Sequence, residues 1–239
     1  MTTYVLVPGA GGEGWYWHLV VPELEAHGHE AIAVELPAGD DSAGWNEYAD
    51  AIERAIDDRS ELILVAQSLA GFSAPIVCER RSVELLVLLN AMIPLPGETG
   101  NDWWSNTRSG EAQREYFARI GLPPETASDD RIVYFHDVPP EVVEEAYARG
   151  EPAQSMTPMA QSWPLAHWPD VPTRVLAARD DRLFPLEFQR RIARERLGME
   201  VDEIEGGHLV SVSRPHELAE RLVAYRSELG AVAEASSGS

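Results

Sequence analysis

The stretch Leu62-Ile63-Leu64-Val65-Ala66-Gln67-Ser68-Leu69-Ala70-Gly71-Phe72 determines the architecture. Its first five residues form a continuous apolar run of the kind that makes a buried strand. The run empties directly into Ser68, with Ala66 two residues before it, Ala70 two residues after it, and Gly71 next. A serine on a sharp strand-to-helix turn needs small residues at those places, because the backbone there is crowded and strained. Such a turn lifts the hydroxyl above the sheet edge and leaves it at a helix N-terminus, where the dipole and free amides favour negative charge. Serine is also a favoured helix cap, so this segment alone leaves a nucleophile and a cap both open.

Outward from this stretch, short apolar runs recur at Tyr4–Val7, Ala31–Val34, Leu85–Leu89, Arg174–Ala178 and Glu200–Ile204. Helical patterns lie between them, at Trp15–His27, Trp45–Asp57, Leu69–Arg81, Leu186–Leu197 and Pro215–Leu229. Continuous apolar strands alternating with helices predict an α/β fold, a mostly parallel sheet with helices on both faces. The alternation fails once, from about Pro94 to Pro169, in a segment rich in proline, acidic residues and aromatics. A structureless loop of that length does not fit inside a compact domain. The segment therefore reads as a helical insertion, with helices near Ser109–Ile120 and Pro140–Arg149, placed over the C-terminal edge of the sheet. The expected organisation is a core of residues 1–93 and 170–230, the insertion at 94–169, and a disordered tail at 231–239.

Composition narrows the chemistry. The chain has 239 residues, with 40 acidic against 19 basic and a formal charge of −21. Such a surface repels phosphate backbones and anionic lipid, so neither nucleic acid nor membrane is an expected partner. All 19 basic residues are arginine. The missing lysine excludes Schiff bases, pyridoxal phosphate attachment, Walker A phosphate binding and the Tyr-x-x-x-Lys pair of short-chain dehydrogenases. Cys78 is the only cysteine, which rules out an internal disulfide and any cysteine-rich metal site. No run approaches about 18 apolar residues, and no basic region precedes the first apolar run, so a cytoplasmic location is expected. A homodimer is the assembly left open.

Gly9, Gly11 and Gly14 match the dinucleotide pattern G-x-G-x-x-G, and Glu35 closes the next strand about where a ribose-binding acid would lie. Against this, the following helix opens with Trp15-Tyr16-Trp17, where that fingerprint requires close helix–strand packing. The same glycines would serve an oxyanion loop or a plain turn.

A serine nucleophile needs a base, and the base needs an acid to fix its tautomer. Of seven histidines, His208 stands apart because it follows the last strand in Glu205-Gly206-Gly207-His208, where the glycines allow close approach to the sheet edge. The strand ending at Ala178 runs into Arg179-Asp180-Asp181, which leaves two acid candidates. Serine, acid and histidine then each follow a strand, in the order used by α/β-hydrolases.

On these residues the chain resembles the α/β-hydrolase superfamily over nearly its whole length, with the insertion at the position of that family's cap domain. It is most similar to the compact plant-esterase and hydroxynitrile-lyase branch and its bacterial relatives. The family's acid turn, Asp-x-x-x-Pro, implies Asp181 through Pro185. Where that branch carries His-Gly-Ala, this chain has Pro8-Gly9-Ala10, and the match implies an oxyanion hole from the amides of Ala10 and Leu69. Hydroxynitrile lyases of the branch use a lysine just after the histidine. Leu209 stands there, so that activity is not expected.

The expected function is hydrolysis of a small-to-medium hydrophobic ester, lactone or thioester by Ser68, His208 and Asp181, with no metal or organic cofactor. Aromatic residues of the insertion, namely Trp104, Tyr134, Phe135 and Trp163, are the expected substrate contacts. A lyase or cyclase using the same three residues, a ligand receptor, and a dinucleotide-dependent oxidoreductase are the other readings.

Overall fold

The structure is a computed structural model that describes the backbone of residues 1–237 and the side chains of residues 1–230. The tail expected at 231–239 thus lies outside the fully described residues. Six strands form where the apolar runs predict them: β1 (Thr3–Val7), β2 (Glu30–Ala33), β3 (Leu62–Gln67), β4 (Val83–Leu89), β5 (Thr173–Ala178) and β6 (Asp202–Ile204). All five pairings are parallel, in the order β2-β1-β3-β4-β5-β6.

The two-residue period of a strand sorts the core into two layers. Val5, Val7, Leu64, Ala66, Leu86 and Leu88 face one side. They pack there against α2 (Trp45–Ile56), α3 (Ala74–Arg80) and α9 (Leu186–Leu197). Tyr4, Leu6, Ile63, Val65 and Val87 face the other side, against α1 (Val20–Ala26), α10 (Val210–Ser213) and α11 (Pro215–Ser237). Both faces of the sheet are therefore dry, which accounts for the unbroken apolar runs of its central strands.

Two helices expected to be continuous are each split. The pattern over 15–27 becomes a 3₁₀ turn, Gly14–Trp17, followed by α1. The pattern over 69–81 becomes a 3₁₀ turn, Ser68–Gly71, followed by α3. Pro22 and Pro75 lie in the first turns of the two α-helices. A proline lacks the N–H and its ring fills the space of the preceding turn, so it fits only where a helix begins.

Between Leu89 and Thr173 the chain adds no strand to the sheet among the described residues. It forms α4 (Gly100–Thr107), α5 (Ser109–Ile120), α6 (Asp130–Val133), α7 (Pro140–Arg149) and α8 (Thr157–Ala160). The base of this excursion is closed by a lone antiparallel bridge between Thr99 and Ser162. It is also pinned by a buried ion pair, in which Arg196 of α9 places two nitrogens on Glu98, at 2.6 and 3.0 Å. No described helix is long and apolar enough to cross a membrane.

Candidate active site

Parallel strands deliver their following loops to one edge of the sheet, and the loops after β1, β3, β4, β5 and β6 meet here. The exit of β3 places Ser68 in the left-handed region, at φ 54°. For a residue with a side chain this costs about 1–3 kcal/mol and persists only where surrounding contacts enforce it. The enforcing contact is the chain leaving β4. Met92 donates its N–H to the Ser68 carbonyl at 2.9 Å, and a Cβ on Gly71 would collide with the Met92 carbonyl oxygen. Gly71 is thus the indispensable small residue of the turn, while Ala66 and Ala70 fit in place.

Asp181 follows β5 and is completely buried. Its Oδ1 accepts the N–H groups of Leu183 at 2.8 Å and Phe184 at 2.9 Å. Its Oδ2 lies 2.8 Å from His208 Nδ1, and His208 Nε2 lies 3.0 Å from Ser68 Oγ. A carboxylate can only accept, so Nδ1 carries the imidazole proton and Nε2 is left to accept from the serine hydroxyl. Asp180, the other candidate acid, is exposed and meets the site only through its backbone.

Three buried amide side chains, which the sequence did not single out, hold these loops together. Gln67 accepts from Gly9 N–H at 3.1 Å and donates to the His208 carbonyl at 3.2 Å. Asn90 donates to the carbonyls of Gly207 and His208, at 3.3 and 3.1 Å, and accepts from Ala178 N–H at 2.7 Å. Gln189 donates to Phe184 O at 2.7 Å. Being neutral, the amides fix geometry without adding charge beside the imidazole. Asn90 had one visible signal, a polar residue placed directly after the apolar run of β4.

The loop of N-terminal glycines packs against the Ser68 turn. A Cβ on Gly9 would meet Gln67 Oε1 at 2.8 Å and Ser68 Cβ at 2.9 Å, so the loop after β1 lies directly against the turn. That loop leads into a 3₁₀ turn of four residues, Gly14–Trp17, and not into the long helix of a dinucleotide fold. The N–H groups of Ala10 and Leu69 take no part in the described turn and cap hydrogen bonds, and both residues border the same cavity as Ser68 and His208.

That cavity has a volume of about 770 Å³. Trp104, Tyr134 and Phe135 line it, and so do Tyr16, Met92 and Tyr147. Trp163 is elsewhere: it is buried in the core, with Nε1–H donating to Phe72 O at 2.8 Å. A tryptophan whose only polar atom is already partnered fills a core well, and this one is walled off from the cavity. The His208 ring stands edge-on to Tyr134 and Phe184, with centroids 5.6 and 5.4 Å away. Burial, reinforced by Asp130 and Asp181, pushes the Tyr134 phenol up to about 12, so it remains a neutral donor. Burial likewise pushes the Cys78 thiol up to about 12, which removes it as a competing nucleophile. No cluster of three metal-ligating side chains occurs among the described residues.

A family model for the alpha/beta hydrolase family matches residues 4–221. The chain belongs to the alpha/beta hydrolase family. Among curated relatives, the probable esterase PIR7A of Oryza sativa subsp. indica is 26% identical, over 92% of this chain and 95% of that protein. The alpha-hydroxynitrile lyase of Arabidopsis thaliana is 22% identical, over 94% of this chain and 97% of the lyase. Among solved structures, polyneuridine aldehyde esterase superposes with a TM-score of 0.76 at 20% identity, covering 95% of this chain and 99% of its own.

Proposed function

We propose that this alpha/beta hydrolase cleaves a carboxylic ester of a small-to-medium hydrophobic substrate, with Ser68 as nucleophile, His208 as base and Asp181 as its orienting acid. One observation carries the reading: the unbroken hydrogen-bond chain from Ser68 Oγ through His208 to Asp181, opening into an aromatic cavity. The esterase names of relatives that align end to end with the chain support the same chemistry.

Ser68 Oγ attacks the ester carbonyl carbon while its proton passes to His208 Nε2, and Asp181 stabilises the imidazolium. The Ala10 and Leu69 amides receive the developing oxyanion, each contributing about 3 kcal/mol to the transition state. The carbon–oxygen bond to the alcohol then breaks, and the alcohol leaves with the proton from His208. Water, deprotonated by His208, attacks the acyl carbon, and Ser68 regains its proton as the acid departs. In this reading residues 94–169 are a cap domain on a core of 1–93 and 170–230, and the cap's aromatic wall selects the hydrophobic group.

Intact mass after exposure to a fluorophosphonate tests the proposal. A single adduct on the parent protein, with none on Ser68→Ala, is the expected result. An unlabelled, well-folded parent would overturn it.

A further inference from the structure

Two consecutive residues of the insertion, His136 and Asp137, reach down between α6 and α7 and grip the loops that carry the acid and the base. His136 Nε2 lies 3.0 Å from the carbonyl oxygen of Asp180, the residue immediately before Asp181. A carbonyl only accepts, so Nε2 carries the proton and donates. Asp137 Oδ2 accepts the N–H of Gly207, the residue immediately before His208, at 2.7 Å. The two loops are themselves joined, since Asp180 N–H donates to the Gly206 carbonyl at 2.9 Å.

Two further observations indicate that this contact is built in. Gly207 is shaped to admit it: a Cβ there would lie 2.6 Å from both Asp137 Oδ1 and His136 Nε2. Asp137 Oδ1 is buried with no hydrogen-bond partner among the described residues. Burying a polar oxygen without a partner is costly, so the bond that the other oxygen makes to Gly207 has to offset that cost for the contact to persist. Burial, partly offset by Asp137, lowers the His136 pKa, so the ring stays neutral while it donates to Asp180.

We propose that His136 and Asp137 are positioning residues that set the distance and orientation between Asp181 and His208 from the insertion side. Through them the insertion takes part in aligning the base as well as walling the cavity. The role rests on the proposed use of Ser68, His208 and Asp181, and two readouts keep the claims separate. The first needs no reaction: the downfield proton resonance of His208 Nδ1–H, held by Asp181 in the resting protein. In Asp137→Ala it is expected to broaden or vanish. The second is fluorophosphonate labelling, where the maximal rate is expected to fall by about 10- to 100-fold with the half-saturating probe concentration little changed. Asp137→Asn keeps an oxygen for Gly207 N–H and is expected to restore both readouts. His136→Ala, which loosens only the Asp180 side, is expected to lower the rate by less, and it decides the matter if Asp137→Ala fails to fold. Glu145→Ala is the control, because it removes a different bond from insertion to core, the one from Trp15 Nε1–H. An unchanged resonance and labelling rate in folded Asp137→Ala and His136→Ala, or an equal loss in Glu145→Ala, would overturn the positioning role. A parent that shows the resonance but takes no label would sink the hydrolase reading alone, with the resonance of the variants still deciding the role of Asp137.

Discussion

The cavity has two unlike walls. The strand-end wall presents Ser68 and His208, with Asp181 buried behind the imidazole, and the loops that carry them are fixed by backbone turns and by the Gln67, Asn90 and Gln189 amides. The insertion wall is made largely of aromatic faces, with Trp104 at 38% and Tyr147 at 43% exposure. One wall is polar and cross-linked by hydrogen bonds; the other is largely apolar and more exposed. Tolerance to change divides along the same line. On the proposed function, chemistry sits where several loops must agree, and substrate selection sits where a side chain can be exchanged without disturbing that agreement.

The most severe test of this contrast removes the centre of the first wall. Ser68→Ala is expected to lower ester turnover by on the order of 10⁶-fold, with thermal unfolding unchanged. Steady-state kinetics on an activated ester, beside a melting curve, measures both. A residual rate near that of the parent would move the chemistry to another residue and dissolve the distinction between the walls.

The second test asks what holds the insertion in place. Burial alone would raise the Glu98 carboxyl, but bonds from Arg196, Asn106 and Leu95 N–H outweigh it and hold the group below its ordinary value of 4.5. Arg196→Met leaves that carboxylate buried without its counter-ion, held only by Asn106 and Leu95 N–H, at a cost of about 3–5 kcal/mol. The sign of the pH dependence comes from the lowered pKa. The pair's contribution is complete above the ordinary carboxylate range and is lost as acidification protonates Glu98. Melting temperatures of parent and variant are therefore expected to differ most at neutral pH and to converge in acid. A constant gap would mean that the pair does not pin the insertion through charge.

The same two walls explain what could be read in advance. The sheet was legible because strands dry on both faces leave continuous apolar runs, as the inner strands β1, β3, β4 and β5 do, while the edge strands β2 and β6 are shorter and carry Glu30, Asp202 and Glu203. Ser68, Asp181 and His208 were legible because parallel strands place their exits on one edge, so residues distant in sequence need only sit just after a strand to meet. The amides were not, because a glutamine or asparagine carries no mark of which distant carbonyl it will reach. Trp163 misled for a related reason: an aromatic residue in the insertion has the same composition signal whether it faces a cavity or, with its N–H on Phe72, the core. The Asp137 contact to Gly207 spans 70 positions and leaves no periodicity to detect.

On the insertion wall, Trp104→Ala is expected to raise KM for a bulky ester by about tenfold, the equivalent of about 1.4 kcal/mol of lost apolar contact, while kcat stays nearly constant. A fall in kcat with KM unchanged would instead place Trp104 against the reacting group, and the two walls would no longer divide the work. Measuring a small acetate beside a bulky ester isolates the effect, because the small substrate is expected to notice the loss less.

The smallest expected effect lies beside the first wall, on α3, where Cys78 is held. With the thiol pushed up to about 12 by burial, the thiolate fraction at pH 8 is about one in ten thousand. Iodoacetamide at that pH is expected to leave ester turnover and intact mass unchanged over the time in which a fluorophosphonate labels the protein fully. The contrast matters because Ser68 lies in the turn that leads from β3 to α3 and Cys78 lies in α3 itself, so one short stretch of chain holds both in different surroundings. The serine has an imidazole nitrogen at 3.0 Å and a left-handed turn that presents it to the cavity, whereas the cysteine has neither. Alkylation with loss of activity would mean that this connection opens in solution. The rigidity assigned to the strand-end wall would then have to come from bound substrate.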